Sequence, residues 1–142
     1  MFEYIVALIL AIAAEVGVPP NFALAIAQEE NRKLDPMVKS LPNEDGSIDL
    51  GVMQLNSKYF GNIDWWIPEI NILAGCLLIK ELMSKSVLTT WWSIACSYNT
   101  GYTRFIMQGP PKETIDYANR VMHRWHELEG VQYINPIIRS VR

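Results

Sequence analysis

The chain has 142 residues, of which 50% are hydrophobic and 19% are charged. This composition indicates a globular domain with one sizeable core and excludes a disordered chain. The net charge is −3 and no run of basic residues occurs, so the sequence argues against nucleic-acid binding. We expect one domain over residues 1–130, followed by a C-terminal tail over residues 131–142.

An unbroken apolar run from Ile5 to Ala14 lies near the start of the chain. No Lys or Arg precedes the run and Glu3 does, which does not fit a signal peptide. The run is also shorter than the roughly 20 residues that a membrane span needs. We therefore predict a buried first helix from Phe2 to Val16 and no transmembrane span. If the protein is exported, its signal has been removed or replaced, or it leaves by another route, for example as part of a phage particle.

A second helix is predicted from Phe22 to about Arg32, entered through an Asn21 N-cap or directly at Pro20. It is apolar nearly all round over residues 23–27, so we expect it to be central and buried. Its end carries the acids Glu29 and Glu30. Negative charge at a helix C-terminus is unfavourable. A carboxyl half desolvated by apolar surroundings has a raised pKa, which makes these acids candidates for general acid chemistry.

The middle of the chain mixes loops with one clear helix. Lys33 to Gly51 is predicted to be loop-rich, with a short hairpin around Asp45-Gly46. A short helix or turn is expected over Val52 to Phe60. A helix then begins at Pro68 and ends near Ser84, because apolar residues recur there at helical spacing. Its predicted core stripe is Ile70, Leu73, Ala74, Leu77 and Leu78.

Two further helices are predicted in the last third. A buried helix from Trp91 to Tyr98 is closed by Asn99-Thr100-Gly101, and Gly109-Pro110-Pro111 breaks the chain again. The last helix covers about Glu113 to Glu129 and ends before Gly130. Its predicted core stripe is Ile115, Ala118, Val121, Met122 and Trp125.

The cysteines and histidines do not indicate a metal site. Cys76 and Cys96 lie in apolar helical contexts and are expected to be buried thiols, with a single disulfide left open. His123 and His126 have a spacing that could bind a metal, together with Glu127. Two histidines on one helix without further ligands indicate a solvated face, so we assign no metal.

The stretch from Asp45 to Ser57 joins a turn dipeptide to groups that suit a sugar cleft. Gly51 allows a ligand to approach the backbone, and Met53 offers an adaptable apolar face. Gln54 and Asn56 offer hydrogen-bond donors and acceptors. A polar hairpin without a ligand is the alternative that these residues alone leave open.

Five segments resemble, in the same order, motifs of the soluble lytic transglycosylases, over about Ile5 to Val121. Each motif is weak alone, but five in order form a strong signal. Two departures occur: Asn31 stands where the family usually has Ser, and Pro36 lies one residue later than usual. The segments are Ala25 to Asn31 with Asp35-Pro36, Gly51 to Gln54, Pro68 to Gly75, Ile94 to Gly101, and Glu113 to Val121.

The resemblance implies a mainly α, lysozyme-like fold, with a cleft between the Glu30 helix and the Gly51 to Asn56 stretch. It makes Glu30 the general acid and then the general base. Glu29 would place the proline still further from its usual position, so Glu30 is preferred. Tyr98 is expected near Glu30. The other expected substrate contacts are Gly51, Met53, Gln54, Asn56 and Asn99.

Asp49 leaves the reaction type open. It matches the second carboxylate of animal-type lysozymes, in which a retaining hydrolase needs two carboxyls about 5 Å apart. Specialised transglycosylases of secretion systems and phages also resemble this stretch and carry an acid before the glycine motif. The surrounding motifs favour the transglycosylases, and Asp49 is then a residue of the substrate site.

The resemblance implies cleavage of the β-1,4 bond between N-acetylmuramic acid and N-acetylglucosamine in peptidoglycan, with a 1,6-anhydromuramoyl product and no metal or organic cofactor. The implied partners are peptidoglycan glycan strands and an envelope-spanning secretion machine or phage tail assembly. The implied location is the periplasm, the cell envelope, the extracellular space or a virion. The rivals are a hydrolysing lysozyme that uses Glu30 and Asp49, and a catalytically weak glycan-binding component.

Overall fold

The computed structural model describes residues 1–130 and 140–141, and the chain divides into two compact units, Met1–Leu77 and Leu78–Arg142. Over the described residues the chain is mainly α, as predicted. The predicted tail over residues 131–142 lies outside the description except for Ser140 and Val141. The elements are α1 (Phe2–Val16), α2 (Pro20–Glu30), β1 (Asp49–Leu50), β2 (Leu55–Asn56), α3 (Ser57–Phe60), α4 (Pro68–Met83), α5 (Trp91–Thr100), α6 (Tyr102–Gln108) and α7 (Lys112–Leu128).

The connection between α1 and α2 follows from its glycine and prolines. Gly17 adopts a left-handed conformation (φ 85°), and its amide caps α1 by donating to the carbonyls of Ala13 and Ala14. Pro20 occupies the first turn of α2, so the entry at Pro20 is confirmed and the Asn21 N-cap is wrong. The helix ends at Glu30 rather than Arg32, because Asn31 leaves helical geometry (φ −150°, ψ 87°).

The two helices differ in how much of their surface is buried. Residues 22–27 of α2 are all buried, as predicted. In α1 only the stripe Ile5, Ile9 and Ala13 is buried, whereas Phe2 and Tyr4 are exposed. The expectation of a buried first helix is therefore wrong for its outer face, because an apolar run does not show how many sides of a helix have neighbours. No helix of the described residues is long and apolar enough to span a membrane.

The loop-rich region forms a small antiparallel meander. Lys39 bridges Leu50, and β1 pairs with β2 so that Asp49 lies opposite Asn56. The first turn is closed by the amide of Asn43 donating to the carbonyl of Ser47 at 2.7 Å, with Gly46 at φ 83°. The hairpin predicted around Asp45-Gly46 is confirmed, and a second turn over residues 51–54, the Gly51 turn, joins β1 to β2.

Helix α4 buries a different face from the one its periodicity predicted. Ile70, Leu73 and Leu77 are exposed, so the predicted stripe is wrong. Both faces carry apolar residues at helical spacing, and periodicity could not rank them. The face that is buried includes one amide and one glycine, whose contacts are described below. It consists of Asn71, Ile72, Gly75, Cys76, Ile79 and Leu82.

The second unit is built on the packing of α5 against α7. Trp91 contacts Trp125 edge-to-face, with ring centroids 5.6 Å apart. The predicted stripe of α7 is confirmed except for Ile115, which is exposed, whereas Tyr117 is buried. Helix α6 was not predicted from the sequence. Its seven residues include none that is buried, so no apolar periodicity indicated it.

The N-terminus of α5 carries a capping box, whose contribution to stability can be tested by substitution. The Thr90 side chain accepts from the amide of Ser93, and the Ser93 hydroxyl reaches back to the Thr90 amide, which forms a capping box. Thr90→Ala should lower the free energy of unfolding by about 1 kcal/mol, because one N-terminal amide loses its acceptor. Urea denaturation measures this loss. Thr90→Ser keeps the hydroxyl and should lose much less; equal losses in the two variants would exclude the cap as the cause.

Candidate active site

Glu30 is the last residue of α2 and is half-buried. The six buried residues 22–27 fix the helix that carries it, and Asn31 follows as the C-cap. Asn31 is itself buried, at 7% exposure. The carboxyl therefore lies at the end of a helix whose residues 22–27 are all buried, next to a buried amide.

The Asn31 side chain connects this helix end to two other segments. Its Nδ2 donates to the carbonyl of Asp35 at 2.8 Å and to the carbonyl of Gly51 at 3.2 Å. Its Oδ1 accepts from the amide of Asp35 at 3.2 Å. Both ends of the amide are thus used, which a buried amide requires. The helix end that carries Glu30 is hydrogen-bonded to the Gly51 turn through one side chain.

The Gly51 turn has an unusual backbone. Gly51 lies at φ 73° and Gln54 at φ 53°, a left-handed conformation that a non-glycine residue seldom adopts. The Gly51 amide donates to the carbonyl of Val38 at 2.8 Å. The Gly51 carbonyl accepts from Asn31 and from both the backbone and side-chain amides of Gln54. A Cβ at position 51 would lie only 2.9 Å from the carbonyl oxygen of Trp65, so glycine is required there on two grounds.

Asn71 of α4 holds the same turn from the other side. This side chain is fully buried. Its Oδ1 accepts from the amide of Met53 at 2.8 Å, and its Nδ2 donates to the carbonyls of Leu50 at 2.9 Å and Trp65 at 3.1 Å. The sequence places Asn71 in a motif but does not indicate which groups its side chain bonds. An amide inside an apolar helix was the available signal, because a buried amide needs partners.

Met53 and Gly75 pack against each other beneath the turn. Met53 is fully buried, and a Cβ at Gly75 would lie 2.7–2.9 Å from its side-chain carbons. The glycine of α4 therefore leaves the space that the methionine fills. The assignment of Met53 as a sugar contact stays a prediction, and the role that the geometry gives it is support of the turn.

Gln54 uses one end of its amide within the protein. Nε2 donates to the carbonyl of Gly51 at 2.9 Å, and the side chain is half-buried. Within the described residues, Oε1 is then the atom of this side chain left for a ligand, where it would accept from a sugar hydroxyl or acetamido N–H. In the predicted substrate contact, Gln54 would therefore accept a hydrogen bond through Oε1 rather than donate one.

Asp49 and Asn56 lie opposite each other in the meander. Asn56 caps α3 by accepting from the amide of Lys58 at 2.9 Å and donates to the Ser47 hydroxyl at 3.1 Å, so its amide serves local structure. The Asp49 carboxylate accepts from Asn43 at 3.3 Å. Burial raises the pKa of Asp49, and the negative charge of Asp45 acts in the same direction. Substrate contacts of both residues stay predictions.

Tyr98 and Asn99 lie on α5 in the second unit, and their nearness to Glu30 stays a prediction. The Asn99 Oδ1 accepts from the Thr114 hydroxyl at 2.8 Å. Thr114 is buried at the start of α7, so it fixes the direction of this exposed amide and turns Nδ2 away from the contact. Asn99 is therefore held as a hydrogen-bond donor.

The cysteines are free thiols, and the histidines bond to groups of their own helix. Cys76 and Cys96 are free, buried thiols, and burial raises the pKa of each to about 12. His126 is buried with Nδ1 at 2.6 Å from the carbonyl of Met122, and His123 pairs with Glu127 at 2.6 Å. Among the described residues, no group of three His, Cys, Asp or Glu side chains has the arrangement of a metal site.

Comparison with known proteins gives one family match. A family model described as the Transglycosylase SLT domain matches residues 7–119, which is well over half of the chain. This match confirms the predicted lysozyme-like, mainly α fold. The family is one of transglycosylases that act on peptidoglycan. A search of curated proteins found no match for the chain.

The contact between Gly75 and Met53 can be tested by overpacking. Gly75→Ala should lower the free energy of unfolding by about 1–3 kcal/mol, because the new methyl overlaps the base of the Met53 side chain rather than only its flexible end. Denaturant unfolding measures this loss. The double variant Gly75→Ala/Met53→Val should recover part of it. A double variant less stable than Gly75→Ala by the full cost of Met53→Val alone would show that the two sites are independent.

The two aspartates of the meander should respond to pH in opposite ways. The folded-state pKa of Asp49 is raised, so its ionisation costs stability as the pH rises above the unfolded value of about 3.9. Asp49→Asn should therefore gain stability relative to the parent between about pH 4 and neutrality, and the gain should vanish below that range. Thermal unfolding across pH measures the difference.

Asp45 is the matched control for this pH dependence. Hydrogen bonds from the Ser47 hydroxyl and amide lower its pKa. Asp45→Asn should therefore lose stability at neutral pH, and the loss should disappear as the pH falls through the lowered pKa. Asp45 is exposed, so the effect is small. The same sign of pH dependence in both variants would refute this account.

Proposed function

The chain belongs to the Transglycosylase SLT domain family, and on that premise we propose that it is a peptidoglycan lytic transglycosylase with Glu30 as its acid and base. The bond cleaved is the β-1,4 linkage between N-acetylmuramic acid and N-acetylglucosamine. The product ends in a 1,6-anhydromuramoyl residue. One observation carries the assignment: Glu30 ends a buried apolar helix whose C-cap is hydrogen-bonded to the glycine turn of the family motif.

The reaction needs a single carboxyl group that acts twice. Glu30 first donates its proton to the glycosidic oxygen, the C1–O bond breaks, and its electron pair stays with the leaving sugar. The acetamido oxygen of the muramoyl residue stabilises the positive charge at C1. The Glu30 carboxylate then removes the proton of the C6 hydroxyl while O6 bonds to C1. No water is consumed, and the carboxyl returns to its protonated state.

The position of Glu30 supports the acid role. A general acid must be protonated near the working pH, and apolar surroundings raise the pKa of a carboxyl. Six buried residues precede the last turn of α2, and Glu30 is half-buried. We therefore propose that Glu30 must be protonated to start the reaction, so turnover should fall on the alkaline side of the pH–rate profile.

The two side-chain amides of the motifs support glycan binding. Gln54 keeps an acceptor, Oε1, and Asn99 keeps a donor, Nδ2, as their bonds to Gly51 and Thr114 dictate. An acetamido group presents both an N–H and a carbonyl, and sugar hydroxyls do both, so each of these two amides by itself could bind an amino sugar. We propose that peptidoglycan strands in the cell envelope are the substrate, reached from the periplasm, from outside or from a virion.

Asp49 fits an orienting role better than the role of a nucleophile. Asp49 is half-buried, and burial raises the pKa of its carboxyl while the hydrogen bond from Asn43 acts in the opposite direction. Its backbone amide also donates to the Ser40 hydroxyl, and its carboxylate accepts from Asn43. These bonds hold Asp49 within the meander, which supports an orienting role for it.

The acid assignment predicts the effect of one charge-removing substitution. Glu30→Gln should lower turnover on purified peptidoglycan by about 10²–10⁴-fold or more, because the amide cannot supply the proton. Release of soluble muropeptides, quantified by chromatography, measures the rate.

Glu29→Gln is the matched control, since Glu29 lies on the same helix end. It should retain most of the activity. An inactive Glu29→Gln protein with an active Glu30→Gln protein would move the acid to position 29.

The product decides between lyase and hydrolase. Asp49→Asn should keep at least about a tenth of the activity, a barrier increase of up to roughly 1.4 kcal/mol, because the sugar supplies its own nucleophile. Mass spectrometry should find anhydromuramoyl ends for both parent and variant. Ordinary reducing ends, or activity as low as that of Glu30→Gln, would establish the lysozyme mechanism instead.

A further inference from the structure

We propose that Asn31 is a positioning residue, which holds the Glu30 end of α2 against the Gly51 turn through its side-chain amide. The proposal rests on the proposed function for its catalytic meaning. Asn31 does not itself touch the reacting atoms in this account. It acts by fixing where the acid lies relative to the turn that carries Gln54.

Burial fixes the orientation of the Asn31 side chain. Asn31 is 7% exposed and lies directly after the candidate acid. A buried primary amide costs free energy unless its donors and acceptor are satisfied. Here Nδ2 serves two carbonyls and Oδ1 serves one amide, all with distances of 2.8–3.2 Å. The side chain is therefore held in one orientation.

The backbone of Asn31 also joins two segments of the chain. The Asn31 backbone amide donates to Ala27 at 2.8 Å, as the last bond of α2. Its backbone carbonyl accepts from Leu34 at 2.9 Å, and Leu34 is a buried residue at φ 52°. A non-glycine residue in this left-handed region persists only where its surroundings hold it. Asn31 thus connects the helix end, the strained connection after it and the Gly51 turn.

The side chains of Asn31 and Gln54 share one hydrogen-bond acceptor. The Gly51 carbonyl receives both Asn31 Nδ2 and Gln54 Nε2. A displacement of the turn away from Asn31 would therefore also move Gln54. A serine at position 31 has one hydroxyl donor on a shorter side chain, so it cannot serve the Asp35 and Gly51 carbonyls together. The asparagine is specific to this connection between acid and turn.

Hydrogen exchange tests the positioning without any enzymatic assay. In Asn31→Ala, and more mildly in Asn31→Ser, the amides of Gly51 and Gln54 should exchange about tenfold faster or more, the factor that 1.4 kcal/mol of lost hydrogen bonding produces. Thr90→Ala is the control, since it removes a helix cap in the second unit at a similar cost in stability. Unchanged protection of both amides in the Asn31 variants would overturn the proposal.

A double-mutant cycle tests the catalytic consequence. Asn31→Ala should lower kcat/KM by about tenfold or more, because small misplacements of catalytic groups are costly. Asn31→Ala/Gln54→Ala should lose less than the product of the two single losses, since a displaced turn no longer uses Gln54. Thr90→Ala/Gln54→Ala should lose the product of its single effects. A multiplicative loss in the Asn31 cycle would refute the proposal.

The hydrogen-exchange and kinetic experiments test the positioning role of Asn31 and the proposed function separately. If the parent protein releases neither anhydromuramoyl nor reducing-end products, the proposed function is wrong, and the exchange of the Gly51 and Gln54 amides still decides whether Asn31 holds the turn. If the parent is active and the cycle is multiplicative, the function stands and the positioning role of Asn31 is refuted.

Discussion

The site depends on the hydrogen bonds of the Gly51 turn, because some of the turn's buried backbone groups find partners only outside the meander. Two side-chain amides supply them. Asn31, at the end of α2, bonds the Gly51 carbonyl, and Asn71, inside α4, bonds the backbone of Leu50 and Met53. The turn is thereby held between the end of α2 and the Asn71 side chain of α4, and the helix end that carries Glu30 is held with it.

Residues of three different motifs contribute to the support of the Gly51 turn. The glycine turn needs a residue without a side chain near the Trp65 carbonyl, the α4 motif needs an amide at Asn71, and Gly75 leaves the space that Met53 fills. Each of these residues would be a weak or costly choice in isolation, since an amide or glycine in a helix contributes little to helix stability. Together they support one turn at the candidate site.

Electrostatics narrows the groups that can act on a substrate. The thiols of Cys76 and Cys96 have pKa values of about 12, because both are buried, so neither provides a thiolate near neutral pH. Burial raises the pKa of Asp49, whose carboxylate accepts a hydrogen bond from Asn43. The proposed mechanism needs neither a thiolate nor a second carboxylate.

The sequence by itself determined the helical class, the approximate bounds of α1, the apolar helix before Glu30 and the family, because caps, breakers and motif spacing are local signals. Tertiary structure alone decided which face of α4 is buried and what Asn31 and Asn71 bond. Periodicity gives the spacing of apolar residues but not which face meets a neighbour, so Leu73 and Leu77 were placed inside although they are exposed. The partners of Asn71 include residues 18 and 21 positions away. Contacts of that range depend on how the chain folds back on itself, which no local pattern records.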